Sequence, residues 1–295
     1  MPQFKLEGMG VALVTPFRKD LSIDADALDR LVDHIIDGGA DFIVVLGTTA
    51  ETPTLTAEER DFVARRVVER TAGRVPLVIG IGGNCTAALC KDLQTRDLTG
   101  YSAVLTVVPF YNKPSQEGLY RHYTAVADAS PLPVILYNVP GRTGTQMSAE
   151  TTLRLAPHPN IIGIKEASGD FALIETIVKH APEGFNVISG DDGVTFPLVS
   201  LGATGVISVL GNAFPREFSE MVHLARAGKM AEARELHHGF AELFQLLFAD
   251  GNPAGVKCAL SLLGFCEDTL RLPLVPASDA TRSKMAEMID TPCRR

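Results

Sequence analysis

A single (β/α)8 barrel of the α/β class, followed by a C-terminal helical appendage, is the fold class that this 295-residue sequence predicts. Eight apolar runs rich in β-branched residues recur along the chain. Each run is continuous rather than alternating, which is typical of parallel strands covered on both faces. Segments with a helical periodicity separate the runs. An alternation of eight strands with helices favours a closed barrel.

The predicted strands follow one another as repeated strand–helix units. They cover residues 11–17, 41–47, 75–82, 101–110, 133–139, 161–167, 186–191 and 204–210. A doubly wound open sheet is the alternative arrangement, but the segment GIGGN at Gly80 lacks the full glycine spacing of a dinucleotide-binding turn. The barrel is therefore the favoured architecture.

The segments between the strands carry helix signals. Apolar residues of the first segment form one stripe, namely Leu28, Leu31, Val32, Ile35 and Ile36. Thr56 and Glu59 have the spacing of a capping box at the start of the second helix. From about residue 214 the sequence is helical without strands, so we predict a catalytic barrel over residues 1–228 and a helical domain over residues 229–295. Such a helical segment more often supports packing or oligomers than chemistry.

Composition argues against several classes of protein. The formal net charge is −8 and no basic stripe is present, so binding to nucleic acid or to an anionic membrane is not expected. The apolar run near the N-terminus is too short to span a bilayer. The cysteines are odd in number and form no C-x-x-C pair, which disfavours a disulfide framework or a zinc knuckle and favours free thiols in a reducing cytoplasm. They are Cys85, Cys90, Cys258, Cys266 and Cys293.

Polar residues stand at the predicted C-terminal ends of the strands, where the chemistry of such barrels takes place. They include Thr15, Thr48, Thr49, Asn84, Tyr111, Tyr137, Asn138, Lys165, Glu166, Asp191, Asp192 and Ser208. All histidines instead fall in helices or in loops, which disfavours a metal-dependent aldolase, because its metal would need histidines at the barrel mouth. The two aspartates of the SGDD segment disfavour a phosphorylated substrate, since they would repel phosphate.

The stretch NIIGIKEASGD places Lys165 at the end of a buried strand. A lysine there is either a solvated residue that marks the end of the strand or a nucleophile. Only the neutral amine attacks a carbonyl, and a desolvated barrel mouth favours that form. The polar ring around Lys165 favours an imine-forming lysine. Glu166 should face the opposite side of the strand, and its role stays open.

The neighbouring residues each have a structural and a functional interpretation. Tyr137 is either a core aromatic residue or a phenol that moves protons beside Lys165. Thr48 and Thr49 either begin a helix or offer hydroxyl and N–H groups to a small carboxylate. Arg142 is either a surface loop residue or a bidentate ligand of a substrate carboxylate.

Several motifs together resemble the dihydrodipicolinate synthases, within the superfamily of Schiff-base aldolases that includes N-acetylneuraminate lyase. In chain order they are VTPF, GTTAET, PFYNKPSQEGLYRHY, LYNVPGRTG, IIGIKEASGD, SGDD, GVISV and DTLRLPLVP. The G-T-T, Y-N and G-x-K-E elements are shared across the superfamily, whereas YNKPSQEGLY and NVPGRTG are more specific to the synthases. The resemblance spans nearly the whole chain.

The resemblance implies a set of catalytic residues. Lys165 would form an imine with pyruvate, and no metal or organic cofactor would be needed. Tyr137 would carry protons at that imine in a relay with Thr48 and Tyr111. In this family the tyrosine that matches Tyr111 enters the active site of a neighbouring subunit, so a dimer is the minimal active unit and a homotetramer is usual.

Substrate-binding residues are implied in the same way. Thr49 would hold the pyruvate carboxylate, and Arg142 would hold the carboxylate of the second substrate, L-aspartate 4-semialdehyde. Ile207 and Gly190 would also contribute to substrate binding. The product would be 4-hydroxy-tetrahydrodipicolinate, an early intermediate of the diaminopimelate route to lysine.

This sequence departs from the lysine-inhibited members of the family. Those members carry two histidines, a glutamate and a second tyrosine where this sequence has Ala57, Arg60, Ala88 and Phe110, while Asn84 keeps its type. Ala88 cannot pair with an ammonium group, and Arg60 would repel one. We therefore predict weak or no inhibition by lysine.

Two other functions remain open at this point. A sibling pyruvate-imine aldolase acting on a sugar aldehyde would share Lys165, Tyr137 and Thr48, but would have less use for Arg142 and Tyr111. A catalytically silent barrel that acts as a binding module is the other alternative. The intact set of these five residues argues against it.

Overall fold

The computed structural model describes residues 4–289 of the chain. Eight parallel strands close into a barrel in chain order, β1 pairing with both β2 and β8, which confirms the predicted architecture. The strands are β1 (Gly8–Ala12), β2 (Phe42–Val45), β3 (Leu77–Gly80), β4 (Ala103–Val107), β5 (Val134–Asn138), β6 (Ile161–Glu166), β7 (Asn186–Ser189) and β8 (Gly205–Ser208). Each follows its neighbour through a helical connection, as parallel pairing requires.

The prediction for the first strand, residues 11–17, is wrong in its position. The barrel strand β1 ends at Ala12, although the apolar run continues beyond it. The backbone N–H of Val14 donates to the side-chain Oδ1 of Asn212 at 3.1 Å instead of continuing the ladder. Pro16 has no N–H to donate, and Phe17 forms only an isolated antiparallel bridge with Ile23. The apolar run therefore extends beyond the C-terminal end of β1.

The helices occupy the predicted connections between the strands. They are α1 (Ala25–Asp37), α2 (Ala57–Thr71), α3 (Thr86–Thr95), α4 (Gln116–Ala129), α5 (Pro140–Thr143), α6 (Ala149–Leu155), α7 (Phe171–His180), α8 (Thr195–Ser200), α9 (Pro215–Arg226), α10 (Met230–Gly239), α11 (Ala241–Ala249), α12 (Ala254–Leu262) and α13 (Asp279–Met288). The capping box of α2 is confirmed, because Thr56 and Glu59 exchange hydrogen bonds of 3.2 and 3.0 Å.

An apolar cluster fills the inside of the barrel beneath its C-terminal mouth. It contains Phe42, Val44, Ile135, Tyr137 and Ile207 among other strand residues. Larger clusters lie between the strands and the surrounding helices. Because apolar side chains fill the inside of the barrel, polar side chains can come together at the ends of the strands.

The C-terminal helices α10 to α13 pack against the barrel and against one another. The predicted division between residues 228 and 229 falls in the turn that joins α9 to α10. The cysteines within residues 4–289 are free thiols, and Cys293 lies outside the described residues. No helix within residues 4–289 has the length and apolar character needed to cross a membrane.

Candidate active site

A cavity of about 580 Å³ opens at the C-terminal ends of the strands. Five of the predicted site residues line it together, namely Thr48, Thr49, Tyr137, Arg142 and Lys165. They come from the connection after β2, the end of β5, the short helix α5 and the end of β6. Positions more than a hundred residues apart in the chain thus meet in one concave site, as in other barrels of this architecture.

Lys165 is placed by the barrel itself. It stands on β6 in register with Tyr137 on β5 and with Ile188 on β7. Its side chain is only 6% exposed, and its Nζ lies 4.4 Å from the centroid of the Tyr137 ring. Among the described residues no carboxylate forms an ion pair with this ammonium group. The amine and the phenol therefore face the cavity as a pair with no acidic side chain between them.

Gly190 and Ile207, both predicted to contribute to substrate binding, do not line the cavity. A Cβ atom on Gly190 would lie 2.9 Å from Cε of Lys165, so a larger residue would push the lysine stem out of place. Ile207 is buried on β8 in the same apolar cluster as Tyr137. Of these two positions, Gly190 approaches the stem of Lys165, and Ile207 packs inside the barrel.

Glu166 takes part in a separate network from that of Lys165. Its carboxylate accepts a short hydrogen bond from the Asn138 amide and further bonds from the Ser168 N–H and hydroxyl at 3.0 and 2.6 Å. Burial raises the pKa of Glu166, and these donors oppose that effect. Asn138 also accepts from the N–H of Met147 at 3.0 Å. The network ties the ends of β5 and β6 together and so holds Tyr137 and Lys165 in register.

The threonine turn after β2 forms another side of the cavity. Its backbone crosses β3 so closely that a Cβ on Gly80 would lie 2.4 Å from the carbonyl oxygen of Leu46. Residues Thr48–Ala50 then form one turn of 3₁₀ helix. The first N–H groups of such a turn have no partner within it and suit an anionic ligand. Thr48 is exposed toward the cavity, and Thr49 is buried.

Arginine side chains provide the other charges in the cavity. Arg142 on α5 and Arg60 on α2 both line it, whereas no aspartate or glutamate of the described residues does. The Nε of Arg60 donates to the carbonyl oxygen of Leu55 at 3.2 Å. Together with Lys165 these cations make the cavity positive in a chain of net charge −8, which favours anionic substrates.

Tyr111 is the one predicted catalytic residue that the structure does not bring to the cavity with the others. It does not line the cavity, its side chain is 88% exposed, and its φ is 72°. Its neighbour Phe110 does line the cavity. Asn84 donates to the carbonyl oxygen of Phe110 at 3.2 Å, and Asn112 donates to that of Asn84 at 3.0 Å. The loop is thus held in place while the phenol of Tyr111 faces solvent in a single chain.

One aspartate of the acidic segment after β7, Asp192, has a structural role. Asp192 is buried, and its Oδ2 accepts from the N–H groups of Val209 and Leu210 at 3.0 and 2.7 Å. Burial raises the pKa of Asp192 to about 6. It joins the ends of β7 and β8. Within residues 4–289 no group of three or more histidine, cysteine or acidic side chains could hold a metal ion.

Sequence reasoning missed a set of contacts that reach the threonine turn from the C-terminal helices. Asn252 donates to the hydroxyl of Thr49, and Lys257 forms a buried ion pair with Glu51. No spacing rule connects residues some two hundred positions apart. The segment NPAGVKCALSLLG showed only helical character.

Comparison with known proteins agrees with this geometry. Residues 5–291 match the model of the dihydrodipicolinate synthetase family. The chain is 59% identical to a 4-hydroxy-tetrahydrodipicolinate synthase from Phocaeicola vulgatus over 98% of each chain. It superposes on dihydrodipicolinate synthase from Aquifex aeolicus with a TM-score of 0.93 and 41% identity, covering 98% of this chain and 100% of that one. The chloride-inhibited enzyme from Acinetobacter baumannii, crystallised with pyruvate, gives a TM-score of 0.94 at 40% identity, covering 98% and 99%.

Proposed function

From the premise that this chain belongs to the dihydrodipicolinate synthetase family, we propose that it is a lyase of the class I aldolase type with the activity of a 4-hydroxy-tetrahydrodipicolinate synthase. Its substrates are pyruvate and L-aspartate 4-semialdehyde, and its setting is the diaminopimelate route to lysine in the cytoplasm. The observation that carries the proposal is the buried amine of Lys165 beside Tyr137, in a cavity lined by cations and by no carboxylate among the described residues.

The first step forms a covalent imine. The neutral amine of Lys165 attacks the keto carbon of pyruvate, and water leaves after two proton transfers. Tyr137, whose ring lies 4.4 Å from the amine, delivers and removes these protons. The pyruvate carboxylate binds at the turn of Thr48 and Thr49, both of which line the cavity. No separate cofactor is required, because the protonated imine formed on Lys165 acts as the electron sink.

The second step forms the new carbon–carbon bond. Loss of a proton from the methyl group converts the imine to an enamine, and that carbon attacks the aldehyde of L-aspartate 4-semialdehyde. Arg142 holds the carboxylate of this second substrate. The amine of the same substrate then attacks the imine carbon, displaces Lys165 and closes the six-membered ring. The free lysine is ready for another pyruvate.

A direct assay separates the synthase from a sibling aldolase. Pyruvate consumption is measured with L-aspartate 4-semialdehyde, N-acetylmannosamine and glyceraldehyde in turn. Rapid turnover with the semialdehyde alone supports the proposal. Turnover with a sugar aldehyde alone contradicts it, although Lys165 would still form the imine.

The variant Arg142→Ala sharpens this comparison. Loss of the bidentate clamp should remove about 2 kcal/mol or more of transition-state stabilisation. The value of kcat/KM for L-aspartate 4-semialdehyde should fall accordingly. Imine formation with pyruvate alone should change little, because the pyruvate carboxylate binds at the threonine turn. Arg121→Ala is the matched control, since Arg121 lies on the surface of α4. An unchanged kcat/KM in Arg142→Ala would contradict the role of this clamp.

We propose further that the active unit is at least a dimer within a homotetramer and that Tyr111 serves a neighbouring site. Its high exposure in the single chain supports this arrangement. Mixing Tyr111→Phe with Lys165→Ala tests it. If Tyr111 acts across an interface, mixed dimers contain one complete site, and random reassociation should restore about a quarter of the wild-type activity. Activity that does not rise above that of the separate variants would contradict the arrangement.

A further inference from the structure

The C-terminal helices reach the candidate active site through Asn252, which lies between α11 and α12. Its side chain is 8% exposed, and its Nδ2 donates to Oγ1 of Thr49 at 3.0 Å. The two residues are separated by 203 positions in the chain. The contact is buried, so water does not compete for the Thr49 hydroxyl at this point.

The direction of this hydrogen bond determines what the Thr49 hydroxyl can do. A hydroxyl has one proton to donate and two lone pairs that accept. Because the amide of Asn252 donates, it occupies a lone pair of Thr49 and leaves the O–H proton for another acceptor. Thr49 lines the cavity, so a carboxylate bound there can take that proton. An acceptor in the place of the amide would reverse this arrangement and withdraw the proton from the ligand.

A second contact holds the same turn to the same helical segment. Glu51 follows the turn in the left-handed conformation, with φ of 55°. Its carboxylate pairs with the ammonium group of Lys257 on α12, and both side chains are fully buried. Its other oxygen accepts from the N–H of Arg271 at 3.1 Å. Thr49 is thus held directly by one C-terminal residue and, through the backbone, by two others.

We infer that Asn252 is a positioning residue for substrate binding, which sets the Thr49 hydroxyl as a donor to the carboxylate of the 2-oxo acid. The C-terminal helices therefore contribute to the binding site and not only to packing. The inference rests on the proposed function insofar as that acid is pyruvate. In this inference Asn252 acts as the hydrogen-bond donor to Thr49. This donor role can be tested separately from the contribution of the Asn252 side chain to packing.

The test measures imine formation with pyruvate alone. Borohydride delivers hydride to the imine carbon and converts the adduct on Lys165 to a stable amine, which mass spectrometry quantifies. The half-saturating pyruvate concentration is determined at pH 8, well above the ordinary pKa of an aspartate. The variants are Asn252→Asp, which keeps the size and reverses the polarity, and Asn252→Ala, which removes the side chain. Asp250→Asn is the matched control from the same loop, since Asp250 accepts from Ser278 and does not contact Thr49.

We expect Asn252→Asp to raise the half-saturating pyruvate concentration at least about tenfold, which is the size of effect seen when a hydrogen bond to a charged group is lost. Asn252→Ala should raise it less, because it removes a donor without adding a competing acceptor. Asp250→Asn should leave it unchanged. In a Thr49→Val background the effect of Asn252→Asp should disappear, since the hydroxyl that it redirects is absent.

Two results would overturn the inference while leaving the proposed function intact. One is a wild-type half-saturating concentration in Asn252→Asp. The other is a larger effect in Asn252→Ala than in Asn252→Asp, which is the order that a packing role produces. If the wild-type protein forms no reducible adduct with pyruvate, the proposed function fails and this inference fails with it.

Discussion

The buried ion pair between Lys257 and Glu51 offers a sharp test of how the C-terminal helices stabilise the barrel. Both side chains are 0% exposed. The ammonium group also donates to the carbonyl oxygen of Thr269 at 3.0 Å and lies 4.2 Å from the ring centroid of Phe17. Burial lowers the pKa of Lys257, and the neighbouring carboxylate opposes that shift. Each of these buried charges therefore has the other as its partner of opposite charge.

Removing one partner should therefore cost more than an ordinary ion pair. Glu51→Gln keeps an acceptor for the N–H of Arg271 but leaves the ammonium group buried without a counter-charge. Leaving one such charge alone costs about 3–5 kcal/mol. At roughly 2 °C per kcal/mol for a chain of this size, the melting temperature should fall by about 6–10 °C. Lys257→Met should have an effect of similar size, because it strands the carboxylate.

The double variant Glu51→Gln with Lys257→Met separates the pair from its surroundings. It leaves no isolated charge, so its melting temperature should lie above the value that the two single effects predict by addition. The expected coupling is about 1–3 kcal/mol. Differential scanning calorimetry at a fixed protein concentration measures all three variants. Glu117→Gln serves as the control, because its pair with Arg121 is exposed and should contribute less than about 1 kcal/mol.

Two outcomes would refute this reasoning. Single variants that melt within about 2 °C of the wild type would mean that the pair is well solvated, contrary to its burial. Additive single effects in the double variant would mean that the two charges do not interact in the folded protein. Either result would also weaken the argument that the helical segment holds the threonine turn.

Three further predictions concern pH, regulation and catalysis. The bidentate bonds from Arg271 lower the pKa of Glu59 to about 2 from an ordinary value of 4.5. The stability that this adds is present above about pH 4.5 and is lost as the pH falls toward 2. The difference in free energy of unfolding between wild type and Glu59→Gln, measured by denaturant titration, should therefore shrink by about 1–2 kcal/mol between pH 5 and pH 3. Lysine should inhibit turnover weakly or not at all, because Arg60 repels its ammonium group and Ala88 offers no partner; strong inhibition at micromolar lysine would contradict this. Tyr111→Phe should lower kcat by about a hundredfold with little change in melting temperature, which steady-state kinetics and thermal scans check together.

Much of the fold follows from local pattern. The apolar runs and helical periods predicted eight strands in a closed barrel, because burial on both faces selects continuous β-branched runs. The capping box at Thr56 and Glu59 was also predictable from local sequence, because its two partners are only three residues apart. The first strand was placed wrongly because a continuous apolar run does not show where its hydrogen bonds pass from strand to loop, as at Val14.

The candidate site was predictable where a strand end places a residue. Lys165 and Tyr137 stand in register on neighbouring strands and meet at the mouth of the barrel. Thr48 and Arg142 line the same cavity, as predicted. The position of Tyr111 was not predictable in this way, because its loop turns the side chain to solvent. Its proposed catalytic role requires a neighbouring subunit.

By itself the sequence predicted the barrel, the nucleophile hypothesis at Lys165 and Arg142 as a candidate ligand of a substrate carboxylate. Only the tertiary structure decided that Asn252 and Lys257 hold the threonine turn. Periodicity and motif spacing report contacts between residues that are near in sequence or that occupy repeated elements. A hydrogen bond across 203 positions has no such local pattern, since it exists only after the barrel and the C-terminal helices have packed and excluded water from the contact.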